Sequence, residues 1–251
     1  MLLSNDDGIE SPLLAALKQE IESLPGVEVV LSAPHENRSG ASQATGPNRL
    51  IVDRVYRDGT LFGYAVHGEP AEAVRFAIVM LSGDRGFDLV VSGINSGSNV
   101  GATSHQSGTV GAAMEGQYHG IPSIAISQNS RGADTRRSAK FAANLVQRYQ
   151  REGAPEGTVL SVNIPAGELK GVRVRPMGDS RLQPAAYEIQ SESGSRTTYR
   201  RRRRVVQSTD SSSDTFAYQD GYIVITPLKF DWTDHDFIGE VASWNLQLVE
   251  F

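Results

Sequence analysis

Short apolar runs alternate with helix-period apolar stripes over the first 165 residues. Leu13, Leu14, Leu17, Ile21 and Leu24 fall on one face of a helix across 12–24, and Val27–Leu31 reads as a buried strand ending at Pro34. Leu50–Val55 and Leu61–Val66 flank Asp58-Gly59, a hairpin signal. Pro70–Leu81 reads as a helix with proline in its first turn. Leu89–Val91 is a continuous apolar strand running into Ser92-Gly93-Ile94-Asn95. A helix over Val110–Tyr118, a strand over Ser123–Ser127, a helix over Arg136–Gln150 and a strand over Val159–Ile164 complete the alternation. This order predicts an α/β fold with a mostly parallel, doubly wound sheet covered on both faces, a three-layer arrangement.

Past residue 165 the pattern changes. Residues 171–207 read as strands joined by turns and contain the run Arg200–Arg204. Residues 208–214 form a polar loop, and Tyr222–Thr226 returns as a strand. Phe237, Val241, Trp244 and Leu248 stand near helical spacing in the tail. Five consecutive arginines would charge both faces of a strand, which predicts a solvated, projecting hairpin rather than a buried one.

Composition narrows the function classes. The 251 residues, 39% hydrophobic, can bury a sizeable core. The net charge of −5 argues against a general nucleic-acid binder. With no cysteine, thiolate metal sites, disulfides and thiol nucleophiles are excluded. No apolar run approaches the ~20 residues of a membrane span, and no secretion signal is visible. A cytoplasmic enzyme is the expectation.

The chemistry-bearing residues follow successive strands. Leu3-Ser4-Asn5-Asp6-Asp7-Gly8 puts two adjacent carboxylates at the carboxyl end of the first strand, the edge where open α/β sheets bind ligands. Neighbouring carboxylates repel unless a proton or cation sits between them, so Asp6 and Asp7 suit a hard metal; an Asx-capped turn is the plain alternative. Ser39 and Asn95, in the loops after the second strand and after Leu89–Val91, offer a hydroxyl and an amide oxygen for the same cation, or simply loop hydrogen bonds. Ser107-Gly108-Thr109 opens a helix, where free N–H groups and hydroxyls suit a phosphate, or merely an N-cap. No lysine follows as a P-loop requires. Of the scattered histidines, His105, four residues before Thr109, is the candidate to protonate a leaving alkoxide.

These motifs resemble the SurE family of survival-protein phosphatases. The likeness rests on Ser4-Asn5-Asp6-Asp7-Gly8-Ile9, Ala33-Pro34, Asn37-Arg38-Ser39-Gly40-Ala41-Ser42 and Val90-Val91-Ser92-Gly93-Ile94-Asn95 with Gly97, Asn99 and Gly101. It continues through Ser107-Gly108-Thr109-Val110, Met114-Glu115-Gly116, Ile121-Pro122, Val162-Asn163-Ile164-Pro165 and Gly221–Leu228. The resemblance implies one divalent cation per subunit, Mg²⁺ or Mn²⁺, on Asp6, Asp7, Ser39 and Asn95. It implies hydrolysis of nucleoside 5′- and 3′-monophosphates, with short polyphosphate as a further substrate. Asp6, Asp7 and Asn95 would be catalytic, and Ser107, Gly108 and Thr109 would bind phosphate. Water attack and an aspartyl-phosphate route both stay open.

The resemblance further implies a single SurE-like domain over 1–251, with its core in 1–165 and about 220–230. A projecting β-rich region would span about 171–215, and a subunit-contacting tail 231–251. A homodimer or homotetramer is expected, with the arginine hairpin packing against a neighbour. The chain departs from the family pattern at Glu69 and Glu72 and at Gln106, which bear on leaving-group recognition. A non-catalytic nucleotide- or phosphate-binding module on the same fold is the rival reading. A deacetylase-type metal hydrolase is disfavoured because the motifs hold no histidine apart from His35.

Overall fold

In the computed structural model, which describes residues 1–46 and 48–244, nine strands share one sheet. Along the chain these are β1 (Leu2–Ser4), β2 (Val30–Pro34), β3 (Val52–Arg57), β4 (Thr60–Val66), β5 (Val90–Ser96), β6 (Ser123–Gln128), β7 (Thr158–Ile164) and β8 (Val172–Val174). β9 (Arg181–Ser193) and β10 (Arg196–Val206) form a separate antiparallel hairpin, and β11 (Ile223–Lys229) returns to the main sheet. The sheet order is β3-β4-β2-β1-β5-β6-β7-β11-β8. β3 on β4 and β11 on β7 are antiparallel; the other pairings in this sheet are parallel.

The helices are α1 (Pro12–Glu22), α2 (Pro70–Met80), α3 (Gly108–Tyr118), α4 (Thr135–Glu152), α5 (Asp214–Gln219) and α6 (Ile238–Ser243), with a 3-10 turn over Gly101–Gln106. α1 packs with α4 and α2 with α3, on opposite faces of the sheet. Alternation along the strands splits the core accordingly. Leu3, Val91 and Ile124 join Leu14, Leu17, Ile21, Ala142 and Val146 on one face. Leu2 and Val90 meet Val74, Ala77 and Ala112 on the other. Strands buried on both faces read as unbroken apolar runs, which is why β1, β5 and β6 were visible as such in the sequence.

Three elements differ from the sequence expectation. β5 continues past Val91 to Ser96, so Asn95 is the penultimate residue of a strand and not part of a loop. The Gly93–Ile94 peptide is cis, and the pairing with β6 shifts register between Ser92 and Asn95. α3 starts two residues earlier than its apolar pattern, at Gly108, because the Ser107 hydroxyl caps the Val110 N–H. α5 follows the polar 208–214 stretch, nucleated by Ser213 capping Phe216. In the tail, α6 carries no buried residue, and Trp232, Ile238 and Trp244 are exposed. Leu248 lies outside the described residues.

Candidate active site

β1 lies between β2 and β5; the chain runs from β1 outward to β2 and later crosses back from β4 to β5 on the other side, which makes the β1/β5 boundary a switch point of the sheet. All three strands are parallel, so their carboxyl ends open on the same edge. From β1 come Asp6 and Asp7. From β2 comes the loop with Asn37 and Ser39, and from β5 come Asn95 and the loop 97–100 leading to the 3-10 turn.

The turn after β1 is held by Asn5, whose Nδ2 donates to the Gly8 carbonyl at 2.9 Å while its Oδ1 accepts the Gly8 N–H at 3.2 Å. The Arg38 N–H donates to the Asp6 carbonyl at 2.7 Å and docks the second loop on the first. Asp6 is only 3% exposed, and its Oδ1 accepts the hydroxyl of fully buried Thr109 at 2.5 Å. The Thr109 amide also acts on that carboxylate. Gly108 makes the approach possible: a Cβ there would stand 2.8 Å from Asp6 Cβ. Asp7 Oδ1 accepts Asn37 Nδ2 at 3.1 Å, and its Oδ2 accepts the Ser96 N–H at 3.0 Å.

Burial pushes the Asp6 carboxyl up to about 6; the charge of Asp7 adds to the rise, and the Thr109 hydrogen bonds oppose it. Burial also raises Asp7, against the hydrogen bonds from Ser96 and Asn37. Among the described residues neither carboxylate has a basic side chain in ion-pair range. Two adjacent, half- to fully buried carboxylates without a protein cation are an uncompensated charge.

Asp6 opens onto a cavity of about 330 Å³. Ser39, Asn95, Ser96, Asn99, Gln106 and Ser107 share its wall. Asn95 Nδ2 donates to the Gly97 carbonyl at 2.7 Å, leaving Oδ1 as the atom it can offer a cation. The Ser107 oxygen accepts the Val110 N–H at 3.1 Å, leaving its proton for an anion. The loop after β5 is fixed by Gly97 N–H to the Gln128 carbonyl at 2.9 Å and by Asn99, bonded to both Asn163 and Ser127.

The structure therefore brings Asp6, Ser39, Asn95 and Ser107 to one cavity. Asp7 is tied to that wall through Ser96 but does not itself line it, and Thr109 is spent on Asp6. His105 is not brought there. The 3-10 turn sends Thr103 and Gln106 to the cavity and His105 to a neighbouring apolar groove, where its ring meets Trp232 edge-on at 5.7 Å. Of the departures noted in the sequence, Gln106 lines the cavity. Glu69 stands 3.9 Å from Arg38, and among the described residues one buried carboxylate oxygen of Glu72 has no hydrogen-bond partner.

Two sets of residues named in the sequence take roles there that their motifs did not assign. Glu115, fully buried on α3, accepts Arg75 Nε at 2.7 Å and Gln43 Nε2 at 2.9 Å, with His119 at 3.2 Å, and so clamps the Ser39 loop to two helices. Arg201 and Arg203 of the hairpin line the Asp6 cavity. Their alternate spacing in the arginine run was the signal available.

The comparisons with known proteins agree with one another. The family described as Survival protein SurE matches residues 1–184. The chain belongs to the SurE family. It is similar to the protein named 5'-nucleotidase SurE of Chlorobium phaeobacteroides, 37% identical over 98% of this chain and 96% of that one. It is likewise similar to the 5'-nucleotidase SurE of Symbiobacterium thermophilum, 38% identical over 98% of each. Among solved structures, the SurE protein of Aquifex aeolicus superposes with a TM-score of 0.80 at 32% identity, covering 97% of this chain and 98% of that one. No helix among the described residues is long and apolar enough to cross a membrane.

Proposed function

We propose that this protein is a divalent-metal-dependent phosphomonoesterase that hydrolyses nucleoside 5′- and 3′-monophosphates to nucleoside and phosphate. The SurE relatives named 5'-nucleotidase support a nucleotidase. The observation carrying the metal dependence is the Asp6–Asp7 pair at the carboxyl edge of β1, Asp6 buried and Asp7 half-buried, with no basic side chain in ion-pair range among the described residues.

The donor set fits a hard cation. Asp6, Asp7, Ser39 and Asn95 offer carboxylate, hydroxyl and amide oxygens; among the described residues no group of three or more His, Cys, Asp or Glu side chains is placed to hold a metal ion, so the set rests on two carboxylates completed by neutral oxygens. Mg²⁺ or Mn²⁺ bound there would neutralise phosphate charge and acidify a water. The chain's own residues do the rest. Ser107 donates its hydroxyl to a phosphate oxygen at the N-terminus of α3. Thr109 fixes the rotamer of Asp6. An Asp7 oxygen, oriented by the Asn37 amide and the Ser96 N–H, accepts the proton of the attacking water.

The test is phosphate release from a panel of 5′- and 3′-nucleoside monophosphates and short polyphosphate, with Mn²⁺, with Mg²⁺ and with EDTA. Release that EDTA abolishes and either metal restores is expected. Release unaffected by EDTA overturns the metal assignment; tight nucleotide binding without release shows a binding module.

A further inference from the structure

The arginine run of β10 divides into two sets by strand alternation. Arg202 and Arg204 are held within the hairpin: Arg202 Nε donates to Glu188 at 2.8 Å and Arg204 to Gln183 Oε1 at 3.4 Å. Arg201 and Arg203, pointing the other way, line the cavity that also holds Asp6, Ser39, Asn95 and Ser107. Among the described residues neither has a carboxylate within 4 Å, Asp6 included. Cationic and anionic side chains thus share one cavity without neutralising each other. A phosphate is the ligand that satisfies both: a dianion for the guanidinium groups, with oxygens left for a cation on the carboxylate side.

The position of the hairpin over this cavity is built in at its root. The Ala102 N–H donates to the Ser180 carbonyl at 2.8 Å, and the Ser180 hydroxyl bonds Thr215 at 2.6 Å. Asp214, buried to 1% exposure, accepts the N–H groups of Gly101 at 2.8 Å and Gly178 at 2.9 Å. Gly101 must be glycine for this contact, since a Cβ there would fall 2.1 Å from Ser180 Oγ. The start of β9 is thereby fixed to the same 3-10 turn that supplies Thr103 and Gln106 to the cavity, and Leu182 follows it into the wall.

We infer that Arg201 and Arg203 are catalytic residues that contact the substrate phosphate, supplied to the active site by the chain's own hairpin. They would bind the non-bridging oxygen that the cation and Ser107 leave free, and gain strength as charge develops in the transition state. The inference rests on the phosphatase reading above, so its test separates the two.

Arg201→Gln, Arg203→Gln and the double variant are compared with Arg202→Gln, using adenosine 5′-monophosphate and Mn²⁺. Each cavity-facing variant should lower kcat/KM about 10- to 100-fold, the usual weight of a charge-assisted contact, and the double variant more. The inhibition constant of inorganic phosphate should rise by a similar factor, while that of adenosine stays within twofold. Arg202→Gln should change none of these by more than twofold. If the wild type is active and the cavity-facing variants behave like Arg202→Gln, the inference falls. It also falls if phosphate and adenosine inhibition weaken together, which marks a structural effect. If the wild type releases no phosphate, the phosphatase reading fails instead. Calorimetric binding of inorganic phosphate with Mn²⁺ then decides the arginines, by its loss or retention in the double variant.

Discussion

Thr109 donates its hydroxyl to Asp6 at 2.5 Å across 103 positions of sequence, and both residues are buried. The contact joins the turn after the first strand to the first turn of α3 and fixes one carboxylate oxygen of a charge that, among the described residues, no basic side chain balances. Thr109→Val keeps the shape and removes the donor, which should weaken Mn²⁺ binding about tenfold, the weight of one hydrogen bond to a charged group. Thr109→Ser should restore most of it. Isothermal titration with Mn²⁺ measures both, and unchanged affinity in Thr109→Val would remove Thr109 from the site.

Asp6→Asn and Asp7→Asn should each abolish turnover while leaving the fold intact. Their stability separates the roles. Asp6→Asn deletes a charge whose burial is unfavourable, so the metal-free variant should melt above the metal-free wild type at pH 7. It should no longer gain stability from Mn²⁺. A melting scan of the two proteins with EDTA and with Mn²⁺ decides this, and a variant that melts several degrees lower in EDTA would contradict it.

The raised pKa of Asp6 sets a pH dependence. A carboxyl at about 6 in the folded protein and 3.8 when unfolded binds its proton more readily in the native state. Stability of the metal-free protein from this group is therefore present below 3.8 and is lost as pH rises from about 4 through 6, by about 3 kcal/mol in all. Between pH 7 and pH 5 the EDTA-treated wild type should become more resistant to urea, and Asp6→Asn should not share that component. Difference urea titrations at the two pH values read it out.

Glu115 carries the opposite sign. Burial raises its carboxyl, but the hydrogen bonds from Arg75 and Gln43, with the charges of Arg75 and His119, outweigh this and hold it below the ordinary value. Its stabilisation is present above the unfolded value and disappears as pH falls through the folded one, at the acid end of the range. Glu115→Gln should cost about 2 to 3 kcal/mol, below the ~3–5 of a fully buried pair because Arg75 reaches water. It should also loosen Gln43 and the Ser39 loop, so urea unfolding and a weaker response to Mn²⁺ are expected together.

The fold was legible because a parallel sheet buried on both faces writes itself as apolar runs, and α1, α2 and α4 carry their stripe plainly. Asp6, Ser39, Asn95 and Ser107 were legible because motifs of small and polar residues recur after or at the end of successive apolar strands and at the opening of a helix. Elements ruled by small or polar residues were not. β5 runs on to Asn95 through Ser92 and Gly93, a stretch without apolar alternation, and α5 is set by a serine cap inside a polar loop. His105 fails for a related reason: spacing along the chain cannot tell which wall of a 3-10 turn a side chain takes. The side on which Arg201 and Arg203 stand depends on how Asp214 pins the hairpin root, a contact across 113 positions between Asp214 and Gly101.

The shortness and centrality of β1 carry a consequence for motion. Leu2–Ser4 is bonded on both sides, to Val30 and Leu31 of β2 and to Val90, Val91 and Ser92 of β5, with all three residues buried. No partial opening can free such a segment, so its amides should exchange with deuterium only when the whole molecule unfolds. Asp6 sits two residues beyond. Its carboxylate is therefore tethered to the slowest-exchanging part of the protein, while the arginines that share its cavity ride on a hairpin exposed along its length. On the proposed function, the acidic half of the site should be its stiff half, with adjustment to different substrates falling to the basic half, which hydrogen exchange of the hairpin amides against those of β1 would read out.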